Sequence, residues 1–144
     1  MITRTTTSGP PLLTLRIDWS ELDLYGHVNN LAFMKYVQAS RIHYTEVLGI
    51  AAWFTTEKKG FLLASSAIQF KQPLYYPGQV HIQANITFIK NSSFGIRHQL
   101  FNEDNDLVAT AEDVLVLYDY NSGTKLLFPA DLRKKVAQLE NSTF

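Results

Sequence analysis

The sequence predicts an α+β domain in which one long helix is wrapped by a curved antiparallel sheet. Three observations carry this. A helical pattern runs from residue 30 to 48, with Gly49 as a natural stop. Beyond Gly60 the chain is a succession of strand patterns and turns. One short strand pattern precedes the helix, so the order is strand, buried helix, antiparallel meander. A lone helix on one face of a strongly curved sheet is the economical way to bury all three.

Taken in order, residues 1–11 are rich in Thr, Ser and Pro and read as a loose tail, leaving one domain over 12–144. In residues 12–19, Leu13, Leu15 and Ile17 alternate with Thr14, Arg16 and Asp18, the period of a strand. The segment 20–30 is polar and punctuated by Gly26, so it forms no continuous regular element. In the helix that follows, Phe33, Tyr36, Val37, Ser40, Tyr44, Val47 and Leu48 share an arc of roughly 120°. Lys35, Gln38, Arg41, Thr45 and Glu46 fall on the other side. Asn29 or Asn30 suits the cap, because its side-chain oxygen can accept from a first-turn amide.

Strand patterns then cover 61–72, 80–88, 94–101 and 107–118. They are separated by Tyr76-Pro77-Gly78, by Asn91-Ser92-Ser93 and by the polar run 102–106. Val80, Ile82, Ala84, Ile86 and Phe88 alternate without a fault, as in a half-buried strand. Pro129 opens a last short helix carrying Leu132, Val136 and Leu139 on one face.

Composition narrows the function classes. With 46% hydrophobic and 12% aromatic residues in 144, a packed core is expected and disorder is not. Thirteen basic residues balance thirteen acidic ones, so no global field draws the protein to nucleic acid or to an anionic membrane. The absence of Cys removes disulfides, cysteine nucleophiles and thiolate metal sites, and suits a reducing compartment. The amino terminus lacks the apolar core of a secretory signal, and no apolar run approaches the ~20 residues that span a bilayer. A cytoplasmic protein is the expectation.

The chemistry is expected in residues 23–30, directly before the long helix. A helix start offers unpaired amides and a partial positive charge, both suited to a developing oxyanion. Asp23, a few residues upstream and held by the turn at Gly26, can face a carbonyl lodged there. That pairing is an acyl-transfer site without Ser, Cys or metal: Asp23 attacks the carbonyl or activates water, and the first-turn amides polarise the thioester oxygen.

Asp23-Leu24-Tyr25-Gly26-His27-Val28-Asn29-Asn30, followed by Tyr36, Ala39-Ser40-Arg41 and Tyr44, resembles the 4-hydroxybenzoyl-CoA thioesterase family of hot-dog proteins. The turns at 73–78 and 91–94 and the start of the last strand at Leu107-Val108-Ala109 agree, so the similarity covers nearly all of 12–130. The resemblance implies a hot-dog fold and hydrolysis of acyl-CoA, with CoA as part of the substrate and no separate cofactor. It places the catalytic carboxylate on Asp23 and the carbonyl-polarising amide on Asn30, and it sets Lys90, Asn91, Ser92 and Ser93 near the nucleotide end of CoA. It also implies a homodimer joined edge to edge, with sites between subunits, and often a tetramer. Two departures stand out. Glu21 occupies a position where many relatives have Asp. The 90–93 turn carries one cation, Lys90, with Arg97 close by, which leaves a carrier protein's pantetheine arm as a second donor.

Each candidate has a plainer reading. Asp before a helix usually satisfies local amides. Asp18 and Glu21 read as solvated carboxylates near Asp23. His27, beside apolar Val28, is a candidate base or else a packing and hydrogen-bonding residue. His43, His81 and His98 show no paired spacing, so no metal site is expected. Ser92 and Ser93 are turn residues first. Beside the thioesterase stand a hot-dog hydratase, which would use His27 with a carboxylate, and a non-catalytic acyl-CoA-binding protein.

Overall fold

The computed structural model describes residues 2–5, as backbone, and residues 10–144. Its strands form a single antiparallel sheet: β1 (Ile2–Thr5), β2 (Leu12–Arg16), β4 (Gln79–Ile89), β5 (Ser93–Phe101), β6 (Leu107–Asp119) and β3 (Lys59–Phe70), in that spatial order. A two-residue strand, β7 (Thr124–Lys125), pairs with the end of β6. The sheet curls around α1 (Asn30–Val47), with α2 (Ile50–Glu57) and α3 (Ala130–Glu140) beside it. This is the hot-dog arrangement.

The core follows the period-2 pattern. Val80, Ile82, Ala84 and Ile86 of β4 are buried, as are Leu115 and Leu117 of β6, and they meet Phe33, Tyr36, Val37 and Tyr44 of α1. The alternation fails at Phe88, because the β4–β5 register slips between Ile86 and Phe88. Gly95 lies opposite that slip, and a Cβ there would sit 2.4 Å from both the Phe88 ring and Thr87 Oγ1. The close approach requires glycine. From α3, Glu140 accepts from Ile86 N at 2.8 Å and from the Tyr44 hydroxyl, which pins this helix over the slip.

Four further expectations about the elements need correction. Residues 2–5, expected within a loose tail, form β1 paired to β2, where Ile2, Thr3 and Thr5 suit an extended edge. Val47, placed on the buried arc, is 38% exposed, since it lies where α1 ends at the capping residue Leu48. Arg41 and Thr45, placed on the polar face, are buried. Gly49, with φ of +84°, does end α1, but it also begins α2, which the pattern did not reveal.

Arg41 is buried because it has a partner. Its Nε donates to Asp113 Oδ2 at 2.9 Å and its Nη2 to Oδ1 at 3.2 Å. Asp113 also contacts His98 Nε2 at 2.7 Å and accepts from Ser66 Oγ at 2.6 Å, while His98 Nδ1 meets Ser40 Oγ at 2.8 Å. Burial pushes the Asp113 carboxyl up, but His98, Arg41 and Ser66 outweigh it and bring it down to about 2. The histidine in β5 is thus part of a closed polar network.

Candidate active site

The loop before α1 is tied at both ends. A short 3-10 turn, Trp19–Glu21, is capped reciprocally: Ser20 N donates to Asp18 Oδ1 and Asp18 N donates to Glu21 Oε1, both at 2.8 Å. Beyond it the chain doubles back tightly. Asp23 N donates to His27 O at 2.7 Å and Gly26 N to Asp23 O at 3.1 Å, with Gly26 at φ +81°, a value that suits glycine. Val28 N then donates to Leu74 O at 2.8 Å and Asn29 N to Glu21 O at 2.8 Å.

Glu21, expected to be solvated, is 6% exposed. It accepts from the Tyr36 hydroxyl at 2.8 Å and pairs with Lys35 Nζ at 3.0 Å. Burial raises its carboxyl, yet the Asp18 amide, Lys35 and Tyr36 prevail and hold it below its ordinary value. Tyr36 in turn is raised, by burial first and then by the Glu21 carboxylate. Asp18 is exposed, as expected, and its carboxyl is lowered chiefly by its hydrogen bonds to Ser20.

At the helix start, Asn29 is the cap: its Oδ1 accepts from Ala32 N at 2.8 Å. Of the first amides, that of Asn29 is taken by Glu21 O and that of Ala32 by the cap. The geometry of a helix start leaves Asn30 and Leu31 N–H without an intrahelical acceptor. These are the donors a carbonyl oxygen would meet. Asp23 Oδ1 accepts from Tyr25 N at 2.8 Å and His27 N at 3.2 Å, which orients the carboxylate and leaves Oδ2 outside that turn.

Asp23, His27, Asn30 and Phe33 line one cleft of about 370 Å³ together with Phe70, the last residue of β3, and Lys71. The carboxylate and the helix start therefore share a cavity. The His27 ring packs edge to face on Tyr75, with centroids 5.1 Å apart. Lys90, Asn91, Ser92 and Ser93 line a different cavity, of about 500 Å³, together with Lys125 of β7. Arg97 is paired with Glu112 at 2.7 Å, so the second cation at this cavity is Lys125.

Sequence reasoning did not single out Lys125 or Glu21 for these positions. Lys125 arrives through the β6–β7 hairpin, 35 residues from Lys90 by number, and no local pattern marks such an approach. Glu21 three residues after Asp18 has the spacing of a capping box, a signal that was available.

Comparison with known proteins assigns the family and the fold. The model of the thioesterase-like superfamily matches residues 17–136. The chain is 23% identical over 127 residues to the long-chain acyl-CoA thioesterase FadM of Escherichia coli, an alignment covering 87% of this chain and 96% of that protein. It is 29% identical over 91 residues to a 1,4-dihydroxy-2-naphthoyl-CoA hydrolase of Crocosphaera subtropica, covering 62% and 66%. Among solved structures, Staphylococcus aureus SAV2348, in complex with CoA, superposes with a TM-score of 0.85 at 10% identity, over 97% of this chain and 90% of that one. Matched over most of its length, the chain belongs to the thioesterase-like superfamily.

Proposed function

We propose that the protein hydrolyses acyl-CoA thioesters, with water cleaving the carbonyl–sulfur bond to give a carboxylate and free CoA. The observation that carries the reading is the cleft shared by Asp23 and Asn30, the first residue of α1. The thioester oxygen lies against the amides of Asn30 and Leu31, which gain most as it becomes an oxyanion. Asp23 either attacks the carbonyl, expelling the CoA thiolate and forming an anhydride that water then opens, or takes a proton from the water that attacks the carbonyl and displaces the thiolate. His27 helps by donating its backbone amide to Asp23, and its ring lies against Tyr75.

The functional unit is a homodimer joined along β3. Among the described residues that strand pairs with β6 on one side only, and residues 62–67 are exposed throughout. Leu63 and Phe70 leave apolar area uncovered on this edge strand, and Leu31, Met34 and Ile42 do so on α1, as an interface with a second copy requires. Two-fold pairing within the exposed run brings the 90–93 turn of one subunit toward the Asp23 cleft of the other. Lys90 and Lys125 then hold phosphate groups of CoA.

A panel of short, long and aromatic acyl-CoAs, with thiol release read colorimetrically, tests this function. Turnover of at least one class is expected. Tight binding of acyl-CoA without thiol release across the panel would instead assign a binding protein.

A further inference from the structure

A third cavity, of about 390 Å³, lies toward the carboxyl end of α1, away from Asp23. Ile42 of α1, Ile50, Ala51 and Phe54 of α2, Phe61 of β3 and Tyr120 line it. Polar groups in its wall are satisfied internally: the Tyr120 hydroxyl donates to Phe61 O at 2.7 Å and Thr45 Oγ1 to Ile42 O at 2.9 Å. Hydrocarbon is what remains. At its rim the Phe54 and Tyr120 rings meet edge to face at 5.6 Å, and they are 46% and 43% exposed. Large aromatic surface left to water around an apolar hollow suits an apolar ligand.

Within one chain this cavity is distant from the chemistry, since Asn30 and Ile42 are separated by roughly 18 Å along the helix axis. Across the β3 edge it is not. Two-fold antiparallel pairing centred at Ser65 or Ser66, in the middle of the exposed run, sets Phe70 opposite the partner's Gly60 or the partner's Leu62. Phe70 lines the Asp23 cleft, and Gly60 and Phe61 belong to the apolar cavity. In such a dimer the Asp23 cleft of one subunit and the apolar cavity of the other abut.

We infer that the acyl chain of the thioester lodges in the cavity closed by α2 of the partner subunit, so that α2 sets acyl-chain length. The inference rests on the thioesterase reading and its dimer. Each methylene taken from water there is worth roughly a fourfold factor in kcat/KM, so discrimination by length should be steep until the cavity is full.

Ala51→Trp fills the cavity from an exposed position on α2, where the change is compatible with folding, as the thermal transition will check. The ratio of kcat/KM for a long-chain to a short-chain acyl-CoA is expected to fall at least about tenfold. Co-expressed, differently tagged Asp23→Asn and Ala51→Trp chains, purified as mixed dimers, locate the cavity's owner. One of the two sites then combines an intact Asp23 with an intact Ala51 across the interface, so about half the wild-type long-chain rate should return. An unchanged length ratio in Ala51→Trp, or mixed dimers no more active on long chains than Ala51→Trp alone, would overturn this inference and leave the thioesterase reading standing. Absence of thiol release by the wild type at every chain length would overturn both.

Discussion

The Tyr36 hydroxyl donates to Glu21 Oε1 at 2.8 Å in the interior, joining α1 to the turn that ends just before Asp23. Because Glu21 O also accepts from Asn29 N, one residue holds both ends of the Asp23 loop. The loop's tip is exposed, and its base is held by the buried Glu21. That is how a carboxylate at the surface keeps a fixed distance to a helix start.

Removing the anchor should be costly. Glu21→Ala strands the Tyr36 hydroxyl in a buried site, a loss of about 1–3 kcal/mol in urea unfolding. Glu21→Gln keeps an acceptor and should lose less. Both should lower kcat more than they raise KM, since the loop positions Asp23.

The Arg41–Asp113–His98 network predicts an acid limit. Asp113 has an ordinary value of 3.8 and a folded value of about 2. A carboxyl lowered by folding stabilises the protein fully above its unfolded value, and the contribution fades as pH falls from about 3.8 to about 2. The amount is roughly 2 kcal/mol. Stability measured from pH 5 downward should decline in that window. In Asp113→Asn, which leaves the Arg41 guanidinium buried without its carboxylate, stability at pH 7 should drop by about 3–5 kcal/mol.

At the cavity lined by Lys90 and Lys125, where we propose that CoA phosphates bind, Lys125→Ala and Lys90→Ala should each raise KM for acyl-CoA by up to about fivefold, with kcat little changed and the effect weakened by salt. Acyl-pantetheine thioesters, which lack the nucleotide phosphates, should show no such change. Equal effects on both substrates would remove these lysines from the phosphate site.

Gly95→Ala tests the packing opposite the β4 slip. The Phe88 ring must move to admit the methyl group, and a loss of about 1–3 kcal/mol is expected, with no effect on KM.

The parts of this molecule readable from sequence were those whose cause is local. The alternation at Val80, Ile82, Ala84 and Ile86, the cap at Asn29 and the stop at Gly49 each depend on neighbours within one helical turn or strand. The octet before α1 located Asp23 and Asn30 in one cleft for the same reason, since a tight turn and a helix cap hold them together. What escaped was set by distance along the chain. Arg41 looked solvent-facing because its partner Asp113 lies 72 residues away. Lys125 reaches the 90–93 cavity only once β6 and β7 pair. The helix α2 is apolar on several sides and too short to display a period.

The central claim is that the Asp23 carboxylate carries out the chemistry at the start of α1. Asp23→Asn preserves the side chain's shape and the Oδ1 acceptor for Tyr25 and His27, so fold and assembly should persist. Single-turnover thiol release by this variant is the direct measurement. The account predicts a fall of at least about 10³-fold with an unchanged thermal transition. Release at the wild-type rate by a folded Asp23→Asn protein would contradict it.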